Sequence, residues 1–272
     1  MADRRRRRHA PPPASSGLIG RATPRASRLY RVLLGASRVG ARFLRFRLVL
    51  EGAEHVPKAM DGQPAGAWIA AGMPHRTWID PFVLALLLPV EPRLHFIGDG
   101  PTIYRSRLRR FALTRIGGII PIWSGSGPRG FEEHVAAARQ VIEAGGVFTL
   151  FPEVGPPSAL GEIRRLSPGV AYFALRTGAP IVPLVIGGND ELYLGRRLCL
   201  RVLHAVTARE LGGLAPDEGL PEPGTPAERD LARRITEELA TLVAGPVAEV
   251  HAASVPPPGT RKRWRWLTTA TR

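Results

Sequence analysis

The chain has 272 residues, 44% of them hydrophobic, enough for the core of one large α/β domain or two small ones. Its single cysteine, Cys199, excludes a disulfide within the chain, and a cytosolic environment fits. No apolar run approaches the ~20 residues that span a bilayer, and no apolar segment follows the N-terminal arginines, so we expect neither a transmembrane helix nor a signal peptide.

The net charge of +15 is concentrated at the two ends of the chain. Residues 1–50 carry +12 and residues 256–272 carry +5, which leaves −2 on residues 51–255. An enzyme acting on nucleic acid more often has basic charge across its working face, so a nucleic-acid partner is the weakest hypothesis. Basic ends on a nearly neutral body favour attachment to an anionic surface.

Four segments are predicted along the chain: a disordered Arg/Pro-rich tail over 1–26, a basic amphipathic membrane-association segment over 27–45, a main domain over 46–250 and a basic C-terminal tail over 251–272. The second segment interleaves apolar residues with arginines and has no acidic residue. Ordinary surface helices usually mix both signs of charge, so we favour a helix in the lipid headgroup plane. The alternative is a docking helix with an exposed basic face.

The main domain alternates apolar strands with helices. We predict strands over 46–50, 67–71, 93–97, 119–123, 147–151, 181–186 and 198–206, and helices over 82–88, 105–116, 129–144, 166–177 and 226–243. Pro183 cannot donate a ladder hydrogen bond, which suggests a strand at a sheet edge or a position near its end. This alternation predicts a single α/β domain with a mixed, mostly parallel sheet flanked by helices.

His75 and Asp80 lie between a predicted strand and the helix that follows it. Pro81 favours a helix that starts at Asp80, because proline is common at the first helical position. One Asp80 oxygen could then cap the helix while the other holds the His75 imidazole. A histidine oriented in this way is a general base for a hydroxyl. By itself, however, the spacing is a weak signal.

Three further stretches strengthen the prediction that His75 and Asp80 belong to a functional site. They are Gly118-Ile119-Ile120-Pro121-Ile122, Phe151-Pro152-Glu153 and the strand from Ala179 to Val185. With the His75–Asp80 stretch, their order over about 46–206 resembles the glycerolipid acyltransferase family, whose type is the 1-acylglycerol-3-phosphate acyltransferase. The resemblance implies transfer of an acyl group from acyl-CoA or acyl carrier protein to a lipid hydroxyl. It implies His75 as the base, Asp80 as its orienter and Glu153 in the acceptor-binding motif, with Gly118 a further substrate-binding candidate.

The same resemblance implies no cofactor and no metal; the thioester donor is a co-substrate. We find no Gly-x-Ser-x-Gly elbow, and Cys199 lies in a predicted strand, so direct transfer in a ternary complex is favoured over an acyl-enzyme. The remaining histidines lack metal-ligand spacing.

The chain departs from the family pattern where arginines usually contact the acceptor phosphate. Val154-Gly155-Pro156 stands where the family has Gly-Thr-Arg, and Ser124-Gly125 follows the strand that usually leads to an arginine. Either other arginines substitute, or the acceptor has no phosphate monoester there. The candidate anion contacts are Arg76, Arg129, Arg164 and Arg165.

The sequence thus predicts a peripheral acyltransferase at the cytoplasmic face of the membrane. Its expected partners are an anionic membrane surface, an acyl thioester and a lysolipid acceptor. The alternative is a catalytically inert family member that binds membrane lipid.

Overall fold

The computed structural model describes residues 22–58, 66–101, 116, 118–122, 127–156 and 158–263. Most of the predicted tail over 1–26, nearly all of the predicted helix over 105–116, Ser124-Gly125 and the part of the predicted C-terminal tail over 264–272 lie outside the described residues.

Helices and strands alternate over most of the chain. The helices are α1 (Arg28–Phe43), α2 (Asp80–Leu87), α3 (Gly127–Glu143), α4 (Gly169–Thr177), α5 (Ala208–Gly212) and α6 (Pro226–Ser254), with a 3-10 turn at Ala53–His55. The strands are β1 (Arg47–Glu51), β2 (Trp68–Met73), β3 (Leu94–Asp99), β4 (Ile119–Ile122), β5 (Val147–Leu150), β6 (Ile181–Gly187) and β7 (Arg197–Val202).

These strands form one seven-stranded sheet in the order β1-β7-β6-β2-β5-β3-β4. Every neighbouring pair is parallel except β6 and β7, which are antiparallel. The predicted mixed, mostly parallel sheet flanked by helices is therefore confirmed. Parallel strands need crossover connections, and α2, α3 and α4 supply those that follow β2, β4 and β5.

The core lies on both faces of the sheet. Ile69 and Ala71 of β2 belong to the apolar cluster that α3, α4 and α6 cover, whereas Trp68 and Ala70 belong to the cluster on the α2 face. Successive side chains of a strand point to opposite faces, so a continuous apolar strand indicates burial on both sides.

Helix α1 packs beside α2 through its polar groups as well as its apolar ones. The Arg38 guanidinium donates to the Leu86 carbonyl at 3.1 Å and to the Leu88 carbonyl at 2.9 Å, at the end of α2. Arg31 pairs with Glu91 at 2.6 Å. The predicted helical segment over 27–45 is thus a helix fixed to the domain. None of the helices in the described ranges has both the length and the apolarity that crossing a bilayer requires.

Three predicted boundaries were wrong. Helix α4 begins at Gly169 rather than at Leu166, because Leu166 forms an antiparallel bridge with Glu153. Strand β7 ends at Val202 rather than at 206. Helix α6 continues from 243 to Ser254, because its buried side carries on through Val247 and Val250 despite Pro246.

Pro183 lies in the middle of the sheet, so the expectation of an edge strand or a strand end was wrong. Strand β6 pairs with β2 on one side and with β7 on the other. The β7 ladder begins at Leu184, and Leu203, just past the end of β7, donates to the Pro183 carbonyl at 3.0 Å. The missing N–H of proline therefore falls where the ladder with β7 has already ended.

Candidate active site

The site lies at the carboxyl ends of three neighbouring strands. Met73 ends β2, Leu150 ends β5 and Gly187 ends β6, and β2 lies between the other two. The loops after these strands therefore meet at one edge of the sheet. This edge is where open α/β sheets carry their ligand sites.

His75 and Asp80 form a close pair within the loop after β2. Asp80 Oδ2 lies 2.7 Å from His75 Nδ1, and the Asp80 side chain is completely buried whereas the His75 side chain is 38% exposed. Because a carboxylate accepts hydrogen bonds, Nδ1 carries the proton in this arrangement and Nε2 is left as the proton acceptor.

Both Asp80 oxygens point back into the loop before α2. Oδ2 also accepts the backbone N–H groups of Arg76 at 2.7 Å and Thr77 at 2.9 Å, and Oδ1 accepts the Thr77 hydroxyl at 2.9 Å. The predicted helix cap by Asp80 was wrong: Ile79 occupies the cap position, and no side chain caps it. Asp80 is the first helical residue, and side chains of a helix lean toward its N-terminus.

Asn189 completes the set of donors to Asp80. Its Nδ2 donates to Asp80 Oδ1 at 2.9 Å and to the Pro74 carbonyl at 3.1 Å. Sequence reasoning missed this residue and also the role of Thr77. A signal existed, since Asn189 is a polar residue soon after the apolar strand β6, where parallel strands place site residues.

Glu153 connects two loops through backbone groups. Oε2 accepts the N–H of His75 at 2.8 Å, and Oε1 accepts the N–H of Arg164 at 2.9 Å. The carboxylate is buried at 8% exposure. Sequence reasoning placed Glu153 at the site, and the structure brings it there. An acceptor contact by Glu153 stays a prediction, since each of its oxygens already has a protein donor.

Phe151 stacks against the His75 imidazole. Their ring centroids lie 4.4 Å apart with 19° between the planes. Gly72 leaves the space for this ring, because a Cβ at Gly72 would lie 2.6 Å from Phe151 Cε1. The histidine is thus held by Asp80 at Nδ1, by Glu153 at its backbone and by Phe151 against its face.

The arginine candidates lie in different surroundings. Arg76 donates to three carbonyls, those of Ser158 at 3.0 Å, Ala159 at 2.8 Å and Glu162 at 2.5 Å, so its guanidinium fastens the 158–162 loop. The other three arginine candidates are Arg164, which is half-buried, and Arg165 and Arg129, which are exposed.

Gly118 and Arg129 are not brought to the dyad. Gly118 immediately precedes β4, at the amino end of that strand, whereas the dyad follows the carboxyl end of β2. Arg129 is in the first turn of α3 after β4, and β5 and β3 separate β4 from β2. Gly118 has φ +74°, and a Cβ there would lie 3.2 Å from the Leu94 carbonyl oxygen, which is a backbone reason for glycine.

Cys199 lies in β7 and is buried. Burial, together with the Glu51 carboxylate, raises the pKa of the Cys199 thiol to about 11. The thiol is therefore protonated at neutral pH and is a poor nucleophile. Within the described ranges, no three His, Cys, Asp or Glu side chains cluster as metal ligands would.

The structure is thus an α/β protein in which a histidine, held by a buried carboxylate, lies at the carboxyl edge of a mostly parallel sheet. The model of the Acyltransferase family matches residues 47–187, slightly more than half of the chain. The chain therefore belongs to the Acyltransferase family and is an acyltransferase. Its fold is similar to that of the 1-acyl-sn-glycerophosphate (LPA) acyltransferase PlsC from Thermotoga maritima, with a TM-score of 0.52 and 18% identity over 80% of this chain and 79% of that chain.

Proposed function

We propose that the protein moves a fatty acyl group from acyl-CoA or acyl carrier protein to a hydroxyl of a lysophospholipid or related lipid. The observation that carries the proposal is the 2.7 Å contact between His75 Nδ1 and the buried Asp80 carboxylate. This contact leaves Nε2 of the partly exposed imidazole to a substrate. The activity of the similarly folded PlsC, a 1-acyl-sn-glycerophosphate (LPA) acyltransferase, supports a glycerolipid acceptor.

In the proposed reaction, His75 Nε2 accepts the proton of the acceptor hydroxyl as its oxygen attacks the thioester carbonyl carbon. The carbon–oxygen bond forms, and the tetrahedral intermediate then breaks its carbon–sulfur bond. The imidazolium returns the proton to the departing thiolate, which restores neutral His75. Asp80 stabilises the imidazolium through Nδ1 throughout. No side chain becomes acylated, in agreement with the protonated Cys199 thiol.

The proposed acceptor has no phosphate monoester at the position that the family pattern gives it. The arginine of Gly-Thr-Arg is absent from this sequence, and the guanidinium of Arg76 already donates to three loop carbonyls. A half-buried phosphate dianion needs charge-assisted partners. Arg164 and Arg165 are the remaining cations of this loop, and they would have to provide them if the acceptor is a phosphate monoester.

Helix α1 supports peripheral attachment to an anionic membrane. Its large exposed apolar side chains are Leu29, Val32, Leu33, Val39 and Phe43, with exposures from 41% to 82%. At 100° per residue they share one side of the helix, roughly opposite the buried Leu34 and Ala41. Arginines border this face, as in helices that lie in the headgroup plane. The acceptor lipid would then come from the cytoplasmic leaflet.

A second candidate is a catalytically inert member that binds membrane lipid, and the altered acceptor motifs favour it. The two are separated by mass spectrometry of products from a panel of lysolipids, with and without a phosphate monoester, given labelled acyl-CoA or acyl carrier protein. Labelled diacyl product from the wild-type protein is expected, and its absence from every combination would leave the inert candidate.

His75→Ala tests the mechanism in the same assay. We expect acyl transfer to be lost while the circular dichroism spectrum and the unfolding midpoint stay close to those of the wild type. His204→Ala is the matched control, because His204 is an exposed histidine that follows β7, whose end lies at the opposite edge of the sheet. Full activity of His75→Ala would defeat the proposed mechanism.

A further inference from the structure

Asn189 is the single asparagine of the chain, and it is only 2% exposed. Its side-chain nitrogen has two hydrogens, and each has an acceptor: the Asp80 carboxylate at 2.9 Å and the Pro74 carbonyl at 3.1 Å. Pro74 directly precedes His75, and Asp80 ends the loop that begins there. One amide therefore holds both ends of the loop that carries the dyad. Asn189 lies just beyond the stretch that the family model matches, which ends at residue 187.

The turn after β6 holds the Asn189 side chain in place. Gly188 has φ +79°, and a Cβ there would lie 2.0 Å from the Arg197 carbonyl oxygen, so only glycine fits. The buried Arg196 donates to the Gly188 carbonyl at 3.0 Å and to Asp190 Oδ1 at 2.6 Å. The Arg196 guanidinium thus binds both residues that flank Asn189 in the chain, Gly188 and Asp190, and its charge balances that of the Asp190 carboxylate.

We propose that Asn189 is a positioning residue that aims Asp80 Oδ2 at His75 Nδ1. This inference rests on the proposed function, in which His75 is the base. Oδ1 of Asp80 has two side-chain donors, Asn189 and Thr77, and these set the plane of the carboxylate. A carboxylate held in one plane gives the imidazole one orientation, and a misplacement of ~1 Å at a reacting group costs about 10²-fold in rate.

Asn189→Leu removes the amide with little change in volume. In the acyl-transfer assay, we expect kcat to fall roughly 10-fold to 100-fold with KM nearly unchanged, because Asn189 is buried and both hydrogens of its amide have protein acceptors. Thr149→Val is the control: it too removes a buried polar group, the Thr149 hydroxyl, and Thr149 Oγ1 has no hydrogen-bond partner among the described residues. An unchanged kcat in Asn189→Leu, or a change confined to KM, would overturn the proposal.

A readout that does not depend on activity is also available. Selective ¹⁵N-asparagine labelling gives one carboxamide signal, since the chain has one asparagine. We expect this signal to shift with pH in the wild type as the dyad titrates, and to lose that shift in His75→Ala. A signal that ignores pH, or that titrates equally in His75→Ala, would refute the proposal. If the wild type shows the titration but transfers no acyl group, the proposed function fails and the coupling of Asn189 to the dyad stands.

Discussion

Glu153 accepts the backbone N–H of His75 at 2.8 Å, although 78 residues separate them along the chain. The contact joins the loop after β5 to the loop after β2. The other carboxylate oxygen of Glu153 accepts the backbone N–H of Arg164. Glu153 therefore also links two positions of the loop after β5. The carboxylate therefore fixes the position of the His75 backbone.

Glu153→Gln should lower kcat more than it raises KM. A glutamine side chain has one carbonyl oxygen, so it can accept only one of the two N–H groups and turns its own NH₂ toward the other. We expect a loss of stability of about 1–3 kcal/mol and a fall in kcat of at least ~10-fold from the displaced His75. Steady-state kinetics with varied acceptor, together with urea unfolding, measure both.

Glu162→Gln is the control for this change, since its side chain is exposed on the same loop. A Glu153→Gln variant with unchanged kcat and a raised acceptor KM would support an acceptor contact instead, as the family resemblance implies.

Gly72→Ala should disturb the dyad from inside the sheet. The new Cβ would lie 2.6 Å from Phe151 Cε1 and 3.3 Å from Leu84 Cδ1, so the Phe151 ring must move. Since that ring stacks on His75 at 4.4 Å, its displacement changes the position of the imidazole. We expect overpacking to cost about 1–3 kcal/mol of stability and kcat to fall. Thermal unfolding and acyl-transfer rates are the measurements.

The matched control is Gly245→Ala on the exposed side of α6, where an added Cβ meets nothing within 4 Å. It should leave kcat unchanged. If Gly72→Ala retains both wild-type kcat and wild-type stability, Phe151 does not hold His75 in the way described above.

The site residues that could be predicted from the sequence are those that lie close together along the chain. His75 and Asp80 are five residues apart, and a strand before them with a proline after them restricts the loop enough to predict the pair. Asn189 is 109 residues from Asp80, and only the parallel pairing of β2 with β6 brings them together. The strand order could not be derived from a single sequence, so this contact could not be either.

Pro183 and Arg76 show a second limit of prediction from the sequence. A proline usually indicates an edge strand, but here the ladder with β7 ends at the residue where an N–H would be needed. Arg76, beside His75, was predicted as a candidate anion contact. Its guanidinium instead satisfies the carbonyls of a turn that no local pattern predicts.

Substitutions on the exposed face of α1 should weaken vesicle binding without changing the fold. Val32→Ser with Phe43→Ser removes the two most exposed apolar side chains of the helix, at 68% and 82%. Full burial of such a side chain contributes about 1.5–3 kcal/mol, so we expect at least ~10-fold weaker co-sedimentation with vesicles of phosphatidylglycerol and phosphatidylcholine. Added salt should weaken the wild type further, because it screens the arginines.

Leu242→Ser is the control on α6, where Leu242 is 40% exposed. It should bind vesicles as the wild type does. Equal binding by the α1 variant and the wild type would remove the membrane role of this face.

Glu228→Gln should destabilise the fold in a pH-dependent way. Glu228 lies in the first turn of α6 and is 3% exposed, and it accepts from Arg176 Nε at 2.5 Å and Nη2 at 3.0 Å. Burial alone would raise the pKa of Glu228, but the hydrogen bonds from Arg176 and from the Gly224 N–H outweigh burial and lower it from 4.5. The ionised carboxylate therefore stabilises the folded state.

The lowered pKa of Glu228 determines how this stabilisation depends on pH. The stabilisation is complete above the ordinary pKa of 4.5 and is lost as the pH falls through the lower pKa of the folded state. Urea unfolding should give a deficit of roughly 3 kcal/mol for Glu228→Gln at neutral pH. This deficit should shrink as the pH falls below the ordinary pKa of 4.5 and the wild-type carboxylate becomes protonated. Glu237→Gln, at an exposed position of the same helix, should show neither effect. A deficit that stays constant from neutral to acidic pH would mean that packing, rather than the ion pair with Arg176, fixes α6 to α4.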